Sequence, residues 1–315
     1  MSFRQKHRRL YTAIVALCLY VVVCCVDGII LAEFAIHPQR EMLGGGTRER
    51  IFPTRYLNIS EVAVEIDALH GARLRGTYAQ PMSQDDGNTV TLLHGVAADR
   101  SSMAGFARLF LANGYRVLLP DSRAQGTSGG TFASYGILEQ DDIRRWIDWA
   151  SSQSPGHCIY GLGESMGAAI LLQSLAYDHR FCAAAAESSF ATFRQIANIR
   201  VGQFTHTGPW MGETLARPMI DAALLYVRLR YHADLDQANP VQAVARSCTP
   251  ILLIHGLSDT NIPASSSTAI HQAAPQSTEL WLVPNAGHCG ASAVDQKEFN
   301  DRVLRWFGEH VRPCR

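Results

Sequence analysis

Short apolar runs recur along the chain at Thr89–Leu93, Val117–Pro120, Cys158–Leu162, Ala183–Glu187 and Ile251–His255. A strand with one wet face alternates apolar and polar side chains, whereas a strand apolar throughout is buried on both faces. Between these runs lie segments of helical spacing. Ser101–Asn113 carries Met103, Phe106, Ala107, Phe110 and Leu111 and is closed by Gly114. Ile137–Ser152 opens with Glu139, Asp141 and Asp142, the sign that suits a helix N-terminus. Met166–Tyr177, a stretch from about Ser265, and Val294–Val311 complete the set. Further strands are expected at Val62–Ile66 and Arg73–Ala79, joined by a turn at His70-Gly71, and at Leu280–Val283. Strands alternating with helices predict an α/β fold: a mostly parallel sheet with helices on both faces.

Two stretches break the rhythm. Residues 190–246 hold no good strand, contain helical pieces such as Met219–Leu229, and read as an insertion between two strands. It is rich in large apolar side chains, among them Phe190, Phe193, Phe204, Trp210, Met219, Leu225 and Tyr226. These line a pocket for a hydrophobic substrate or simply pack the insertion. The second stretch is N-terminal. Residues 1–9 are basic, with Arg4, Lys6, Arg8 and Arg9, and Leu10–Val26 carries no charge. After Asp27 the chain is apolar again through Ile36, broken only by Glu33. A signal-peptide core takes ~7–15 residues and a spanning helix ~17–25, so this segment, 10–36, reads as a transmembrane anchor, with a cleaved signal as the alternative. The positive-inside rule then puts residues 1–9 in the cytoplasm and the rest across the membrane. Residues 37–58, with Gly44-Gly45-Gly46, read as a linker, and 59–315 as the folded domain.

Three motifs stand where a nucleophilic hydrolase needs them. Gly163-Glu164-Ser165-Met166-Gly167 falls between an expected strand and an expected helix, the setting of a nucleophile elbow. Asp259 follows the strand at Ile251–His255, and His288 follows the strand at Leu280–Val283. All three lie at the C-terminal ends of strands, the edge where open α/β sheets bind ligands. Ser165 needs a base to take its proton; His288 is the candidate base, and Asp259 would fix its tautomer and stabilise the imidazolium. An oxyanion needs two prepared donors, for which the backbone N–H groups of Met166 and Val96 are the candidates. Gly163 and Gly167 let the elbow close. His94 reads as a loop-shaping residue, Glu187 as a rival acid, and Cys289 as a packing or disulfide residue rather than a nucleophile.

These blocks resemble the α/β-hydrolase superfamily, in its esterase/lipase-like serine hydrolase branch with small membrane-anchored bacterial members. The resemblance rests on LLHG at Leu92–Gly95, DSRAQGTSGG at Asp121–Gly130, GLGESMGAA at Gly161–Ala169, PILLIHGLSD at Pro250–Asp259 and LVPNAGH at Leu282–His288. Ala124-Gln125 stands where the family usually has Gly-His. The resemblance implies an eight-stranded, mostly parallel sheet, a helical cap formed by the insertion at 190–246, and no cofactor. It implies a serine hydrolase, most readily a carboxylesterase or lipase-like enzyme. A peptidase, amidase or acyltransferase of the same fold is the enzymatic alternative, and a non-catalytic binding module the alternative of another class.

Charge and cysteine usage narrow the partners. The chain has 28 basic and 28 acidic residues, so no field is available to hold a nucleic acid. A small-molecule or lipid-like ester and a membrane reached through the N-terminal helix are the expected partners. No pair of cysteines has CxxC spacing, and no His/Asp cluster has metal-ligand spacing, so neither metal nor redox cofactor is expected. Beyond the apolar segment, Cys158, Cys182, Cys248, Cys289 and Cys314 leave one cysteine unpaired whatever disulfides form, and the sequence does not give the connectivity.

Overall fold

Parallel strands need long crossovers, and this chain supplies helices for them. A computed structural model describes residues 3–40, 51–52 and 58–314. Most of the expected linker, including its three glycines, lies outside the described residues. The elements in chain order begin with α1 (Phe3–Ile36), then β1 (Ile59–Asp67), β2 (Arg73–Pro81), β3 (Thr89–Leu93), α2 (Ala104–Ala112), β4 (Arg116–Pro120), α3 (Glu139–Gln153), β5 (Ile159–Glu164), α4 (Met166–Ser174) and β6 (Phe181–Glu187). There follow α5 (Phe193–Phe204), α6 (Trp210–Glu213), α7 (Arg217–Tyr231), α8 (Pro240–Val244), β7 (Ile251–Gly256), α9 (Ser265–Ala273), β8 (Thr278–Val283), α10 (Ala291–Val294) and α11 (Gln296–Glu309).

The eight strands form one sheet in the order β1-β2-β4-β3-β5-β6-β7-β8. β2 pairs antiparallel with β1 and with β4, and every pair from β4 to β8 is parallel. Both faces are buried, as the unbroken apolar runs require. Along β3 and β4, Val90, Leu92, Val117 and Leu119 join one core with Phe110, Tyr160 and Phe307, while Leu93 and Leu118 join the other with Trp146, Leu171 and Phe181. Aspartates cap two of the helical starts. Asp295 accepts from the N–H of Glu298 and starts α11, splitting what the sequence read as one helix from Val294. Asp99 accepts from the N–H of Ser101, so a 3-10 turn at Arg100–Met103 precedes α2.

The chain divides into two units. Residues 37–193 and 237–315 contain the sheet, and Met1–Ile36 with Arg194–Asp236 form the other. The sheet unit therefore keeps part of the stretch read as insertion, since α8 belongs to it through the buried Pro240 and Val244. In the second unit α1 and α7 lie side by side. α1 is long and apolar enough to cross a membrane.

Two disulfides staple the sheet unit: Cys158–Cys182, across the starts of the neighbouring β5 and β6, and Cys248–Cys314, which ties the C-terminus to the approach to β7. Cys289 is the thiol left over. Closing the shorter loop constrains the unfolded chain. Replacing Cys158 and Cys182 together by Ala is expected to lower the unfolding free energy by about 3 kcal/mol. The readout is a lower guanidinium midpoint, with a steeper slope because the freed unfolded chain exposes more surface. A midpoint equal to that of the parent would mean the bond contributes nothing.

Candidate active site

β5 and α4 meet in a turn too tight for ordinary side chains. A Cβ on Gly163 would come within 2.6 Å of the Gly167 carbonyl oxygen, and one on Gly167 within 2.2 Å of the Leu93 carbonyl oxygen. Ser165 takes the bend itself, at φ 52° and ψ −115°, a conformation non-glycine residues rarely hold. Its amide donates to the Glu187 carbonyl on β6 at 2.9 Å, so the neighbouring strand helps fix the strained residue. The first N–H groups of α4, beginning with Met166, have no partner within the helix and are free to face an anion.

The structure brings Ser165, His288 and Asp259 into one line. His288 Nε2 lies 2.9 Å from Ser165 Oγ, and His288 Nδ1 lies 2.8 Å from Asp259 Oδ2. A carboxylate facing Nδ1 requires the hydrogen there, which leaves Nε2 bare to accept from the serine hydroxyl. The Asp259 side chain is fully buried and heavily supported. Its Oδ1 accepts from the N–H groups of Asn261 and Ile262 at 2.8 and 2.9 Å. Burial alone would raise its pKa; hydrogen bonds from His255, His288 and the Ile262 N–H outweigh burial and hold it well below the usual carboxylate range.

His255 escaped the sequence reading. It ends β7, fully buried, with Nε2 2.9 Å from the Ile262 carbonyl and 3.3 Å from Asp259 Oδ2, and Nδ1 2.7 Å from Ser267 Oγ. Two oxygen acceptors on the Nε2 side place the hydrogen there, so the Ser267 hydroxyl donates to Nδ1. His255 thus backs the acid from behind. Its only signal in the sequence was a histidine at the end of an apolar strand, and His94 shares that signal.

His94 is also buried and shapes the loop after β3. Its Nε2 accepts from the Ser122 N–H at 3.0 Å, so Nδ1 carries the hydrogen toward the Gly95 carbonyl at 2.8 Å. Gln125, at the departure from the family pattern, fills the space between this loop and the elbow. Its Oε1 accepts from the Ala97 N–H at 2.7 Å, and its Nε2 lies 3.6 Å from Met166 Sδ. One buried amide therefore touches both segments that carry the candidate oxyanion donors, Val96 and Met166.

Glu187 does not face His288 as a hydrogen-bond partner. Its Oε1 accepts from the Ala291 N–H at 2.8 Å, and its Oε2 has no partner among the described residues. Glu164 stands opposite it on β5. Cys289, next to His288, is not an activated thiol, because burial and the nearby carboxylates push its pKa up.

The two glutamates make stability depend on pH. Burial pushes Glu187 up to about 7, and burial with repulsion from Glu187 pushes Glu164 up to about 8. The unfolded value is ~4.3, so between these limits the folded state binds more protons and stability falls as pH rises. Glu187→Gln keeps the acceptor for Ala291. It is expected to raise the thermal midpoint at about pH 8 and leave it unchanged at about pH 4. An equal shift at both pH values would mean that Glu187 does not titrate in this window.

Likeness to known proteins agrees with the fold. Residues 102–314 match the prolyl oligopeptidase family. Among curated proteins, the uncharacterized protein YqkD of Bacillus subtilis (strain 168) is 26% identical over 255 residues, covering 79% of this chain and 80% of that one. A monoacylglycerol lipase of Mycolicibacterium smegmatis is 25% identical over 256 residues, covering 72% of this chain and 90% of the lipase. Among solved structures, the Pyrococcus furiosus esterase Pf2001 superposes with a TM-score of 0.67 at 22% identity, covering 87% of this chain and 99% of the esterase. With an eight-stranded α/β-hydrolase sheet carrying a G-x-S-x-G elbow and a family match across most of its length, the chain belongs to the prolyl oligopeptidase family of the α/β-hydrolase superfamily.

Proposed function

We propose that this α/β-hydrolase is a serine hydrolase that cleaves an ester through an acyl-enzyme on Ser165. The observation that carries the reading is the unbroken path Ser165 Oγ–His288 Nε2 and His288 Nδ1–Asp259 Oδ2, at 2.9 and 2.8 Å. Ser165 Oγ attacks the acyl carbon as His288 Nε2 takes its proton. The N–H groups of Met166 and Val96 receive the oxyanion, with Gln125 holding their two segments in place. Collapse breaks the ester C–O bond, and the proton on His288 goes to the leaving alcohol. Water then repeats the sequence on the acyl-enzyme and releases the acid and free Ser165. Asp259 stays ionised throughout, which its depressed pKa favours.

Ester chemistry is preferred because an esterase and a monoacylglycerol lipase are among the similar proteins. The family's name favours a second reading, a peptidase. α1 is read as an uncleaved anchor with the sheet unit outside the cytoplasm. Arg4, Arg8 and Arg9 ahead of the apolar run support that orientation, as do two disulfides in the sheet unit, which suit an oxidising compartment.

A fluorophosphonate probe tests the nucleophile. It is expected to label Ser165 of the parent, found by peptide mass, and to label neither Ser165→Ala nor His288→Ala. Ser165→Ala should lower kcat on p-nitrophenyl esters by roughly 10⁴-fold or more, and Asp259→Asn by about 10³–10⁴-fold. Gln125→Leu should cost about 10–10²-fold in kcat with little change in KM, the pattern of weakened oxyanion binding. Faster turnover of peptide p-nitroanilides than of esters would move the assignment to peptidase. A folded protein that the probe does not label would remove the acyl-enzyme mechanism.

A further inference from the structure

The insertion helices and the N-terminal helix make a single packed unit, and its contacts run in register. The Tyr20 hydroxyl donates to the Leu215 carbonyl. At Gly28 the helices approach so closely that a Cβ would come within 2.5 Å of the Met219 carbonyl oxygen and 3.1 Å of Ala222 Cβ. Further along, Glu33 Oε1 accepts from the hydroxyls of Tyr226 at 2.5 Å and Tyr231 at 2.7 Å. Contacts that advance together on both helices mean that α7 runs parallel to α1, with its first turn level with Tyr20–Gly28.

That register fixes the depth of the insertion if α1 crosses a bilayer. With the uncharged run Leu10–Val26 taken as the part of the anchor in hydrocarbon, Asp27, the first charge after it, marks the level where headgroups begin. Met219 meets α1 at Gly28, so Arg217 and Asp221 sit near that level. They pair with each other, and Asp221 pairs with Arg194, whose second partner is Asp236. Leu215 contacts Tyr20, six residues before Val26, which at 1.5 Å per residue is about 9 Å deeper. α5 starts at this charged level and leads away from it to the α5–α6 turn. The tip so formed carries Phe204, Trp210 and Leu215 at 83%, 52% and 62% exposure, with one exposed acid, Glu213, between the last two. Three large apolar side chains turned to solvent at one end of a helical hairpin, below a band of ion pairs, follow the polarity of a lipid leaflet.

We propose that the tip Phe204–Trp210–Leu215 is a membrane foot, seated about 5–10 Å into the headgroup–acyl boundary beside the anchor. Its occupant is phospholipid, because the exposed apolar surface of α1 continues onto it where Tyr20 meets Leu215. The inference rests on the anchor reading of α1 and not on the chemistry proposed for Ser165.

The test uses the full chain in phosphatidylcholine–phosphatidylglycerol vesicles whose acyl chains are brominated at shallow or deep positions. Parent and Trp210→Phe proteins are compared. Shallow bromines are expected to quench a fluorescence component that Trp210→Phe lacks, and deep bromines to quench it several-fold less. Phe204→Asp with Leu215→Asp should lose most of that quenching, still float with the vesicles, and hydrolyse a soluble short-chain ester at the parent rate. Identical quenching of parent and Trp210→Phe in protein that floats would overturn the foot while leaving the anchor. Protein that fails to float would overturn both. Shielding of Trp210 that follows protein concentration rather than lipid would assign the tip to a second copy of the chain and overturn the foot as well.

Discussion

The close approach of α4 to β3 and β5 is the constraint on which the candidate site depends. Backbone must pass within a few ångströms of backbone at Gly163 and Gly167, and this is what bends the chain at Ser165 into a conformation it would not otherwise hold. The cost of order 1–3 kcal/mol for such a residue is carried by a helix buried along its whole length and by strands with apolar cores on both sides. Because the strands are parallel, their C-terminal ends share one edge. The bend, the Asp259 loop, the His288 loop and the turn after β3 therefore converge there. The candidate site is local to that edge, while the stability that holds it is spread over the sheet.

Around the edge, polar groups are buried in numbers that need a partner for each. Asp259 receives two backbone N–H groups and faces two imidazoles, an arrangement that keeps a buried carboxyl ionised. Glu187, one strand away, has a single N–H donor and stays near neutrality. Two acids at the C-terminal edge of neighbouring strands, Glu187 ending β6 and Asp259 in the loop after β7, are thus set apart by donor count rather than by burial, which both share. That difference separates the partner of His288 from the bystander, and it explains why strand position alone left the choice between them open.

How much could be read beforehand followed from the range of the interactions involved. β3 was legible to the residue because all five of its side chains are buried. β1 was read short at both ends, since Ile59–Glu61 and Asp67 lie on an edge strand with little burial and give no apolar signal. The convergence of Ser165, Asp259 and His288 was legible because each sits in a short motif that follows a strand. Gln125 and His255 were not, since their roles come from side chains meeting backbone or carboxylate in folded space, as with Gln125 and Ala97. Glu33 was visible as a charge breaking an apolar stretch, but its partners Tyr226 and Tyr231 are nearly two hundred residues away, so nothing local could reveal what it was for. The disulfide connectivity was hidden for the same reason.

The carboxylate of Glu33 binds the fate of two distant segments together. An N-terminal helix that only held a protein at a surface would be interchangeable with any apolar helix of similar length. Here one side of it is shaped to a partner: a glycine flush against Met219 and Ala222, and an acid shared by two phenols. A soluble version made by trimming the first thirty-six residues would bare that side of α7 and leave both tyrosine hydroxyls without their acceptor. Replacing it by another apolar helix of equal length would do the same. The helix is therefore part of the insertion's core, and its side chains answer to those of α7 as well as to their own apolar surroundings.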